Sequence, residues 1–524
     1  MRKLLVMGKP YDSVRVTAGE SGPEQYAGAE LVKYLEKMGI PAGDGLSISV
    51  TTDGEAGRDG YRIVVSEEGI AICGGNGRGT IYGVYGFLER YAGARFFMPG
   101  LETLGEGDIA VDEGCAFTPI FEFRQIDWIC GGANVDWRVK NRVNFYACGG
   151  TPAEQGGHMK YGGFVHTLGG LTGTPWEQQP CLSDPENLKK TIAGVRAILE
   201  KDPEVAIVSV SQNDNFNFCT CEKCAAVDAE EGSHAGTLIR FVNAVAADIA
   251  EDYPDVVIDT LAYQYTRQVP RITKPLPNVC IRLCSIECCF CHPLDDATCS
   301  ENKKFHNDIV EWSKICDRIY IWDYVTDFHY YIPTFPNFGV LRQNMRFFAE
   351  HGVKGMYPEG NHNSPQSGEF GELRCYLTAK LMWDPMMSTA EYYRHMDEFL
   401  AAYYGEGWRY IRAYIDWTCA EAAGSHMSIW SKPFWIIPRD KYEAMEETFD
   451  AWWDKAEAVA GDRLEAVKRS RLQWRYIKLC LHPNEEEAKT LRDDVEANRI
   501  RWNEWRPLPE DADLSKTPDT WIPL

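Results

Sequence analysis

The sequence predicts an α/β fold in which a TIM-like (β/α)8 barrel follows a small α+β domain and precedes a helical C-terminal region. Between residues 116 and 386, short apolar stretches alternate with amphipathic helical stretches. Such alternation is typical of parallel strands joined by right-handed crossovers, and the number of units fits a closed barrel better than an open sheet. A chain of 524 residues is also too long for one core, so we expect several domains.

The small α+β domain is predicted over residues 1–115. Apolar residues recur at helical spacing over residues 25–38, and strand-like runs follow at 46–52 and 61–75. A glycine-rich turn then opens a predicted helix within 76–100. These elements indicate two helices packed on a small sheet.

The barrel is predicted over residues 116–386. Its predicted strands are 121–127, 143–148, 205–211, 256–263, 279–286, 319–325 and 353–357. One further strand is hard to place in the glycine-rich segment 149–183, and its candidate is 178–183. The predicted helices are 186–200, 234–252, 303–316 and 338–351.

The C-terminal region is predicted over residues 387–524 and is helical to about residue 505. Aromatic residues recur there at spacings of three and four, which is typical of packed helices. We expect these helices to cap the barrel and the proline-rich tail to wrap the surface. The predicted helices are 389–403, 406–423, 440–460 and 463–482.

The composition is that of a globular protein, with 44% hydrophobic and 25% charged residues. A formal net charge of −23 argues against nucleic acid and anionic membrane surfaces as partners, because both would repel the chain. No apolar stretch approaches the roughly 18–20 residues that a membrane span needs. A homo-oligomer stays possible.

The N-terminal residues and the cysteine content predict the cellular compartment of the protein. Met1, Arg2 and Lys3 precede only four apolar residues, far fewer than the roughly 7–15 of a signal-peptide core. Eighteen cysteines without an export signal suggest reduced thiols. We therefore expect a cytoplasmic location.

Polar and aromatic residues follow the predicted strands, where a barrel of this kind gathers its reactive groups. Aromatic faces stack on sugar rings, while carboxylates and amides hydrogen-bond hydroxyl groups and move protons. The set therefore predicts a carbohydrate site. Its members are Arg124, His166, Asn213, Asp214, Tyr263, Glu287, Trp322, Asp323, Tyr324 and Glu359.

Several motifs carry a family resemblance. The stretch "YRIVVSEEGIAICGGNGRGTIYGVYGFLERYAGARFFMPG" resembles the small domain that precedes the barrel in β-N-acetylhexosaminidases and α-glucuronidases. The motifs "SQNDN…CTCEKC", "LCSIECCFCHPL", "WDYVTDFHYYIPTFPNFGVL", "GVKGMYPEGN" and "GEFGELRCYLTAKLMWDP" resemble the bacterial domain-of-unknown-function 4838 family over roughly residues 60–400. Some relatives are endo-β-N-acetylglucosaminidases that act on N-glycans, so the resemblance implies a glycosidase more firmly than any substrate.

Hydrolysis of a glycosidic bond needs a carboxylic acid that protonates the departing oxygen. In 2-acetamido sugars, the substrate's own carbonyl oxygen attacks the anomeric carbon, and the enzyme supplies a group that orients it. The resemblance to hexosaminidases implies an adjacent acidic pair after the fourth strand, where this chain has Asn213 and Asp214. We expect Asp214 to be the acid and Asn213 the acetamide partner, although the asparagine departs from the acidic pair.

Glu287 is the alternative acid. It lies between Ile286 and Cys288 in an apolar run, where loss of hydration would raise its pKa toward that of a proton donor. The alternative is a buried carboxylate paired with Arg282. Asp323 and Glu359 remain further candidates.

The cysteines at 219, 221 and 224 form a C-x-C-x2-C motif, one ligand short of a tetrahedral thiolate site. A structural zinc ion is possible at Cys219, Cys221 and Cys224, and reduced thiols or a disulfide are the alternative. Catalysis itself requires no cofactor. Residues that could supply a fourth ligand are Cys284, Cys288, Cys289, Cys291 and His292.

The sequence as a whole predicts a glycoside hydrolase that cleaves β-linked N-acetylhexosaminides with retention, through participation of the substrate acetamide. Two alternatives stay open. One is a uronidase or other glycosidase that uses a carboxylate pair, and converging Arg or Lys side chains would favour it. The other is a carbohydrate-binding barrel without activity, which the asparagine at position 213 makes credible.

Overall fold

The N-terminal part of the computed structural model, which describes residues 2–522, is built on a mixed five-stranded sheet of order β10-β5-β6-β4-β3. A three-stranded sheet, β2-β1-β9, and the hairpin β7-β8 lie beside it. The strands are β1 (Leu4–Val6), β2 (Lys9–Tyr11), β3 (Val14–Ala18), β4 (Leu46–Thr52), β5 (Tyr61–Ser66), β6 (Gly69–Gly74), β7 (Arg95–Met98), β8 (Leu101–Thr103), β9 (Ile109–Val111) and β10 (Cys115–Phe117).

Two helices pack against this part, α1 (Gly22–Lys37) and α2 (Gly77–Arg90). Ser21 and Glu24 form a capping box at the start of α1, and the Asn76 side chain accepts from the N–H of Gly79 at the start of α2. The helix predicted within 76–100 is confirmed as α2, and after it the chain turns at Gly93, whose φ is +67°, and continues as β7.

The central part is a curled, seven-stranded parallel sheet of order β11-β17-β16-β15-β14-β13-β12. Every residue of β14 and β15 is buried, as expected for parallel strands covered on both faces. The strands are β11 (Phe123–Arg124), β12 (Tyr161–Gly162), β13 (Ile207–Ser209), β14 (Val257–Ala262), β15 (Val279–Cys284), β16 (Ile319–Tyr324) and β17 (Val353–Glu359).

The segment around Asn144 and Phe145 lies between the two edge strands of this sheet, β11 and β12. The strand predicted at 143–148 is reduced to one parallel bridge between Phe145 and Gln125, and the N–H of Met159 donates to the carbonyl of Asn144 at 3.0 Å. The strand expected at 178–183 was wrong: β12 takes that place, and residues 178–183 form a loop. The parallel α/β arrangement is thus confirmed, and the central sheet has seven strands among the described residues.

Helices α3 to α11 accompany the parallel sheet. The four helices predicted here are confirmed within a few residues as α6, α8, α9 and α10. They are α3 (Ile129–Gly132), α4 (Val135–Lys140), α5 (Leu168–Thr172), α6 (Pro185–Lys201), α7 (Glu222–Glu231), α8 (His234–Ala250), α9 (Lys303–Trp312), α10 (Leu341–Glu350) and α11 (Gly371–Trp383).

The C-terminal part is helical up to Ala497, somewhat short of the predicted limit. Its helices are α12 (Thr389–Tyr404), α13 (Trp408–Ala422), α14 (Pro433–Ile436), α15 (Arg439–Val459), α16 (Leu464–Leu481) and α17 (Glu485–Ala497). Short 3-10 helices lie at Ala153–Gln155, Gln264–Thr266, Gly405–Gly407, Gly461–Arg463 and Pro518–Thr520. Within residues 2–522, no helix combines the length and the apolar composition that crossing a membrane requires.

The segment after α17 returns to the parallel sheet. The N–H of Tyr331 donates to the carbonyl of Trp502 at 2.9 Å, and the N–H of Glu504 donates to the carbonyl of Phe328 at 3.1 Å. The Asn363 side chain also donates to the carbonyl of Glu504 at 2.8 Å. These bonds hold residues 502–504 against the loops that follow β16 and β17.

Candidate active site

A cavity of about 640 Å³ lies at the carboxyl ends of the parallel strands. This volume is within the range of about 300–1,000 Å³ that is usual for small-molecule sites. Its lining combines aromatic rings with four carboxyl groups. The aromatic residues are His166, Phe216, Tyr263, Trp322, Tyr324, Phe328, Trp430 and Trp505, and the acidic residues are Asp214, Glu287, Glu359 and Glu504.

A larger hollow of about 860 Å³ lies among α15, α16 and α17. Its charged side chains are paired with one another, as in the bond from Lys478 to Asp450 at 2.7 Å and that from Arg475 to Asp494 at 2.5 Å. It lies away from the strand ends and has one tryptophan in its lining, Trp474. We therefore take the strand-end cavity as the candidate site.

The alternation of side chains along β16 decides which of its residues face the cavity. Trp322 and Tyr324 line the cavity, whereas Asp323 between them points to the opposite face and is buried. Asp323 accepts a 2.6 Å hydrogen bond from the Ser285 hydroxyl, and burial raises its pKa to about 6. The structure therefore does not bring Asp323 to the cavity with the other predicted site residues.

Asp214 lies at the mouth of the cavity and is exposed. The Tyr263 hydroxyl donates to its Oδ1 at 3.1 Å, and the Gln264 side-chain amide donates to the Tyr263 oxygen at 2.8 Å. Burial and the charge of Asp214 together raise the pKa of Tyr263, so this hydroxyl stays protonated. The two predicted residues Asp214 and Tyr263 thus form one hydrogen-bonded unit in the cavity.

Asn213, the neighbour of Asp214, points away from the cavity and is buried. Its Oδ1 accepts from the N–H of Gly169 at 3.1 Å, and its Nδ2 donates to the carbonyls of Gln178 at 2.8 Å and Pro175 at 3.3 Å. The amide is occupied with backbone groups, so the structure does not bring the acetamide partner predicted at Asn213 to the cavity.

Two further asparagines after β13 also bond the backbone of the neighbouring loop through their side-chain amides. The Asn215 amide donates to the carbonyl of Trp176 and the Asn217 amide to that of Glu177, both at 2.7 Å. In return, the Gln179 amide donates to the carbonyl of Asn213 at 2.7 Å. The asparagine-rich sequence after this strand therefore fastens residues 175–179 beside the exposed carboxylate of Asp214.

His166 lines the cavity with an unusual backbone, since its φ is +53°. Its Nδ1 lies 2.6 Å from the carbonyl oxygen of Gln212, and because a carbonyl can only accept, Nδ1 carries the proton. Burial lowers the pKa of His166. The neutral ring is left with a free acceptor at Nε2.

Glu287 lines the cavity, but its surroundings differ from those expected. Its side chain is 48% exposed and forms an ion pair with Arg267, which also binds Asp308 at 2.8 Å. Arg282 pairs instead with the buried Asp259 at 2.9 Å. The prediction of a desolvated carboxyl group is wrong, because the Glu287 side chain is turned toward solvent while Cys288 beside it is buried.

Glu359 is the most enclosed carboxyl group of the cavity. Trp322 Nε1 donates to its Oε2 at 2.7 Å, while burial and the neighbouring charge of Asp127 raise its pKa well above the usual range. Burial also raises the pKa of Asp127 to about 7. Atoms of Asp127, Glu359 and His362 lie within 4.8 Å of one another, so this end of the cavity holds a compact group of protonatable side chains.

The cavity also has residues that sequence reasoning missed. Trp430 lies in the loop before α14, and Glu504 and Trp505 lie in the segment after α17, which was expected to be helical there. The Trp430 and Trp505 ring centroids are 5.4 Å apart. Burial and the charge of Asp214 raise the pKa of Glu504 to about 7. The signal that could have identified them is a carboxylate between tryptophans in "WNEW".

Arg124 is the third predicted site residue outside the cavity. It is fully buried and bonds Asp59 of the N-terminal part at 2.8 Å, and Arg78 binds the same carboxylate at 2.8 Å. Burial acts to raise the pKa of Asp59, but the two guanidinium groups outweigh it and hold the pKa well below its usual range. The structure does not bring Arg124 to the cavity, since this side chain joins the N-terminal part to the parallel sheet.

The cysteines form two clusters near the cavity. Cys219, Cys221 and Cys224 meet Cys181, so the expected fourth ligand from the stretch 284–292 was wrong. Two members of that stretch, Cys289 and His292, form a second cluster with Cys299 and His426. In each cluster, the possible ligand atoms lie within 4.8 Å of one another.

The family model described as a domain of unknown function (DUF4838) matches residues 105–416. The chain belongs to the DUF4838 family. The match spans the parallel sheet and reaches α13, so it includes the strand ends of the cavity but not Trp430, Glu504 or Trp505. No curated protein matches the sequence of this DUF4838 member.

Solved structures resemble this DUF4838 protein in fold. A family GH115 4-O-methyl-α-glucuronidase with specificity for decorated arabinogalactans is 12% identical, with 97% of this chain and 78% of that chain covered and a TM-score of 0.55. A GH84 protein is 13% identical over 93% and 92% of the chains at a TM-score of 0.47. A GH20 exo-β-N-acetylglucosaminidase from Vibrio harveyi is 10% identical over 77% and 75% at 0.43.

Proposed function

We propose that the protein is a glycoside hydrolase that cleaves a β-linked N-acetylhexosaminide with retention of configuration. The observation that carries the proposal is the composition of the strand-end cavity, in which aromatic faces surround carboxyl groups from several elements. We infer further that the seven-stranded sheet, with the bridge at Phe145 in an eighth position, serves as a (β/α)8 barrel that presents these groups at its carboxyl rim.

Two carboxyl groups of the cavity suit the two roles in glycoside hydrolysis. Glu504 holds its proton up to a pKa of about 7, which fits a general acid that protonates the departing oxygen. Asp214 is exposed at the same cavity, and its negative charge contributes to the raised pKa of Glu504. This division of roles moves the acid from Asp214, where sequence reasoning put it, to Glu504.

Asp214 then takes the position beside the substrate acetamide. Its carboxylate accepts from the acetamide N–H, and the Tyr263 hydroxyl, which donates to Asp214 in the free protein, turns to donate to the acetamide carbonyl instead. The carbonyl oxygen attacks the anomeric carbon while Glu504 transfers its proton to the leaving oxygen. Water, deprotonated by the resulting Glu504 carboxylate, opens the cyclic intermediate and restores the acid.

The charge of the cavity favours an uncharged sugar over a uronide. Among the described lining residues there is no Arg or Lys, and the exposed carboxylate of Asp214 would repel a sugar carboxylate. The α-glucuronidase with a similar fold has 12% identity, and a fold does not carry a substrate with it. Uronides are therefore included among the substrates that test the proposal.

A panel of aryl glycosides and released N-glycans tests the proposal. We expect release from β-N-acetylglucosaminides or β-N-acetylgalactosaminides, and its loss in both Asp214→Asn and Glu504→Gln. A thiazoline that mimics the cyclic intermediate should inhibit the wild type. The matched control is Glu510→Gln, an exposed acid on the same segment.

Three outcomes would contradict the proposal. Turnover of glucuronides alone would favour the uronidase alternative. Saturable sugar binding without turnover of any member would indicate a carbohydrate-binding barrel. Turnover of N-acetylhexosaminides that persists in Glu504→Gln would return the acid to Asp214 or Glu359.

A further inference from the structure

We propose that the protein binds two structural zinc ions, one at the four thiols of Cys181, Cys219, Cys221 and Cys224 and one at Cys289, His292, Cys299 and His426. We call these the thiol cluster and the Cys–His cluster. Each brings together residues that are distant in sequence, and each closes a loop that borders the cavity. The proposal does not depend on which sugar the cavity accepts.

The geometry of the thiol cluster matches a single tetrahedral ion. A Zn–S bond of about 2.3 Å places two tetrahedral ligands about 3.7–3.8 Å apart. The Cys181 sulfur lies 3.7 Å from that of Cys221 and 3.8 Å from that of Cys224. A disulfide would need about 2.05 Å, and an iron–sulfur cluster would spread its thiolates over several iron atoms.

The elements that carry the thiol cluster explain how these residues meet. Cys221 is the N-cap residue of α7 and Cys224 lies in its first turn, where the helix end favours negative charge. Cys181 follows residues 175–179, which the asparagine amides fasten to residues 213–217. A zinc ion would therefore tie together both strands of chain beside Asp214.

The Cys–His cluster stands on separate contacts. Cys289 Sγ lies 3.3 Å from His292 Nδ1, and Cys299 Sγ lies 3.8 Å from His426 Nδ1. Tetrahedral Zn–S and Zn–N bonds predict a sulfur-to-nitrogen separation of about 3.5–3.6 Å, between these two values. His426 comes from the loop between α13 and α14, which also carries Trp430 of the cavity.

The hydrogen bonds around this cluster orient its ligand atoms. His292 Nε2 lies 3.0 Å from the carbonyl of Ala423, and because a carbonyl only accepts, Nε2 carries the proton and Nδ1 keeps its lone pair toward Cys289. The N–H of Met427 donates to Cys289 Sγ at 3.4 Å, which supports a thiolate there. Such outer contacts are typical of zinc sites.

Elemental analysis of the purified full-length protein tests both sites. Protein from a zinc-supplied culture, dialysed against metal-free buffer with a reductant, should contain two zinc ions per chain. Cys221→Ser and His426→Ala should each lower the content to one, and the double variant should lower it to near zero. Both residues are exposed or partly exposed, so the variants should fold, which circular dichroism would check.

Matched controls are Cys148→Ser, an exposed cysteine outside both clusters, and His482→Ala, an exposed histidine on the C-terminal part. Both should keep two zinc ions. As a second readout, a thiol-modifying reagent should release zinc in proportion to the thiols consumed, as a chromogenic chelator reports.

The proposal would be overturned by protein that contains less than half a zinc ion per chain and takes up none from added zinc chloride. Iron in place of zinc would also overturn it. Loss of one ion in Cys221→Ser with no change in His426→Ala would retain the thiol cluster and reject the Cys–His cluster.

Discussion

The cavity has two walls that the chain builds in different ways. The strand wall consists of Asp214, Tyr263, Trp322, Tyr324 and Glu359, which lie at or after the carboxyl ends of β13, β14, β16 and β17 in the parallel sheet. The tail wall consists of Trp430, Glu504 and Trp505, which lie outside regular structure in the C-terminal part. The strand wall follows from the rules of a parallel sheet, whereas the tail wall depends on a segment that folds back over it.

The two walls are linked electrostatically. The charge of Asp214 on the strand wall acts to raise the pKa of both Glu504 and Glu359, although burial is the larger cause for each. The charge of Glu504 on the tail wall also acts to raise the pKa of Glu359 on the strand wall. The proton affinities of the carboxyl groups on the two walls are therefore linked.

The largest expected effect is that of Glu504→Gln on the tail wall. Loss of a general acid should lower kcat by about 10²–10⁴-fold while substrate binding persists. The wild-type kcat should fall as the pH rises through about 7, because the Glu504 carboxyl loses its proton there. In the variant, that limb of the pH profile should vanish, as steady-state kinetics between pH 5 and 9 would measure.

The matched control for this prediction is Glu510→Gln, which should keep both the wild-type rate and the pH limb. An unchanged limb in Glu504→Gln would mean that the titrating group is another carboxyl group, with Glu359 of the strand wall and its neighbour Asp127 as the candidates.

The second prediction concerns Asp323, which the strand wall turns away from the cavity. Its pKa of about 6, against 3.8 in an unfolded chain, means that the folded protein binds this proton more tightly. Stability should therefore fall as the pH rises from about 4 to about 6. The variant Asp323→Asn has no such carboxyl group, so its free energy of unfolding should not decrease in this way. The difference in free energy of unfolding between variant and wild type should therefore shift in favour of the variant by up to about 3 kcal/mol over that interval.

Thermal unfolding of wild type and Asp323→Asn at pH 4.5 and pH 8 measures this difference. The control is Asp317→Asn, which makes the same substitution at an exposed acid just before β16. A variant that instead loses substrate affinity with unchanged stability would restore Asp323 to the cavity.

The third prediction concerns Asn213, behind the strand wall. Asn213→Ala leaves the N–H of Gly169 without its acceptor and removes one hydrogen bond from each of the carbonyls of Gln178 and Pro175, which should cost about 1–3 kcal/mol. Activity should fall equally on substrates with and without an acetamide. Asn217→Ala, which removes one exposed bond, should cost less. A loss confined to acetamido substrates would support the original interpretation of Asn213.

Sequence reasoning predicted much of the strand wall because the rule behind it is local. Parallel strands end at one rim, so Asp214, Tyr263, Trp322 and Tyr324 were placed together correctly. It failed where side-chain direction decides, because neighbouring residues such as Asn213 and Asp214 face opposite ways and the exact strand ends were not known. Arg124 was likewise placed at a strand end without its partner, Asp59, which lies 65 residues earlier.

The tail wall could not be predicted by the same rule. Glu504 reaches the cavity through backbone bonds to Phe328 and Asn363, more than 140 residues away in sequence. The periodicity of apolar residues predicts helices and strands but not contacts between residues so distant in sequence. The thiol cluster shows an intermediate case, since its C-x-C-x2-C motif was visible whereas Cys181, 38 residues before Cys219, was not assigned to it.

The smallest expected effect is that of Trp505→Ala, which tests whether the tail wall binds sugar as well as carrying the acid. Trp505 is 50% exposed and lies against Trp430 and His329, with ring centroids 5.4 Å and 5.3 Å apart. Loss of one stacking face, worth about 1–1.5 kcal/mol, should raise KM about tenfold and leave kcat within twofold. Trp435→Ala, an exposed tryptophan outside the cavity, should change neither. A fall in kcat at constant KM would mean that Trp505 positions the adjacent Glu504, in which case sugar affinity resides in the strand wall alone.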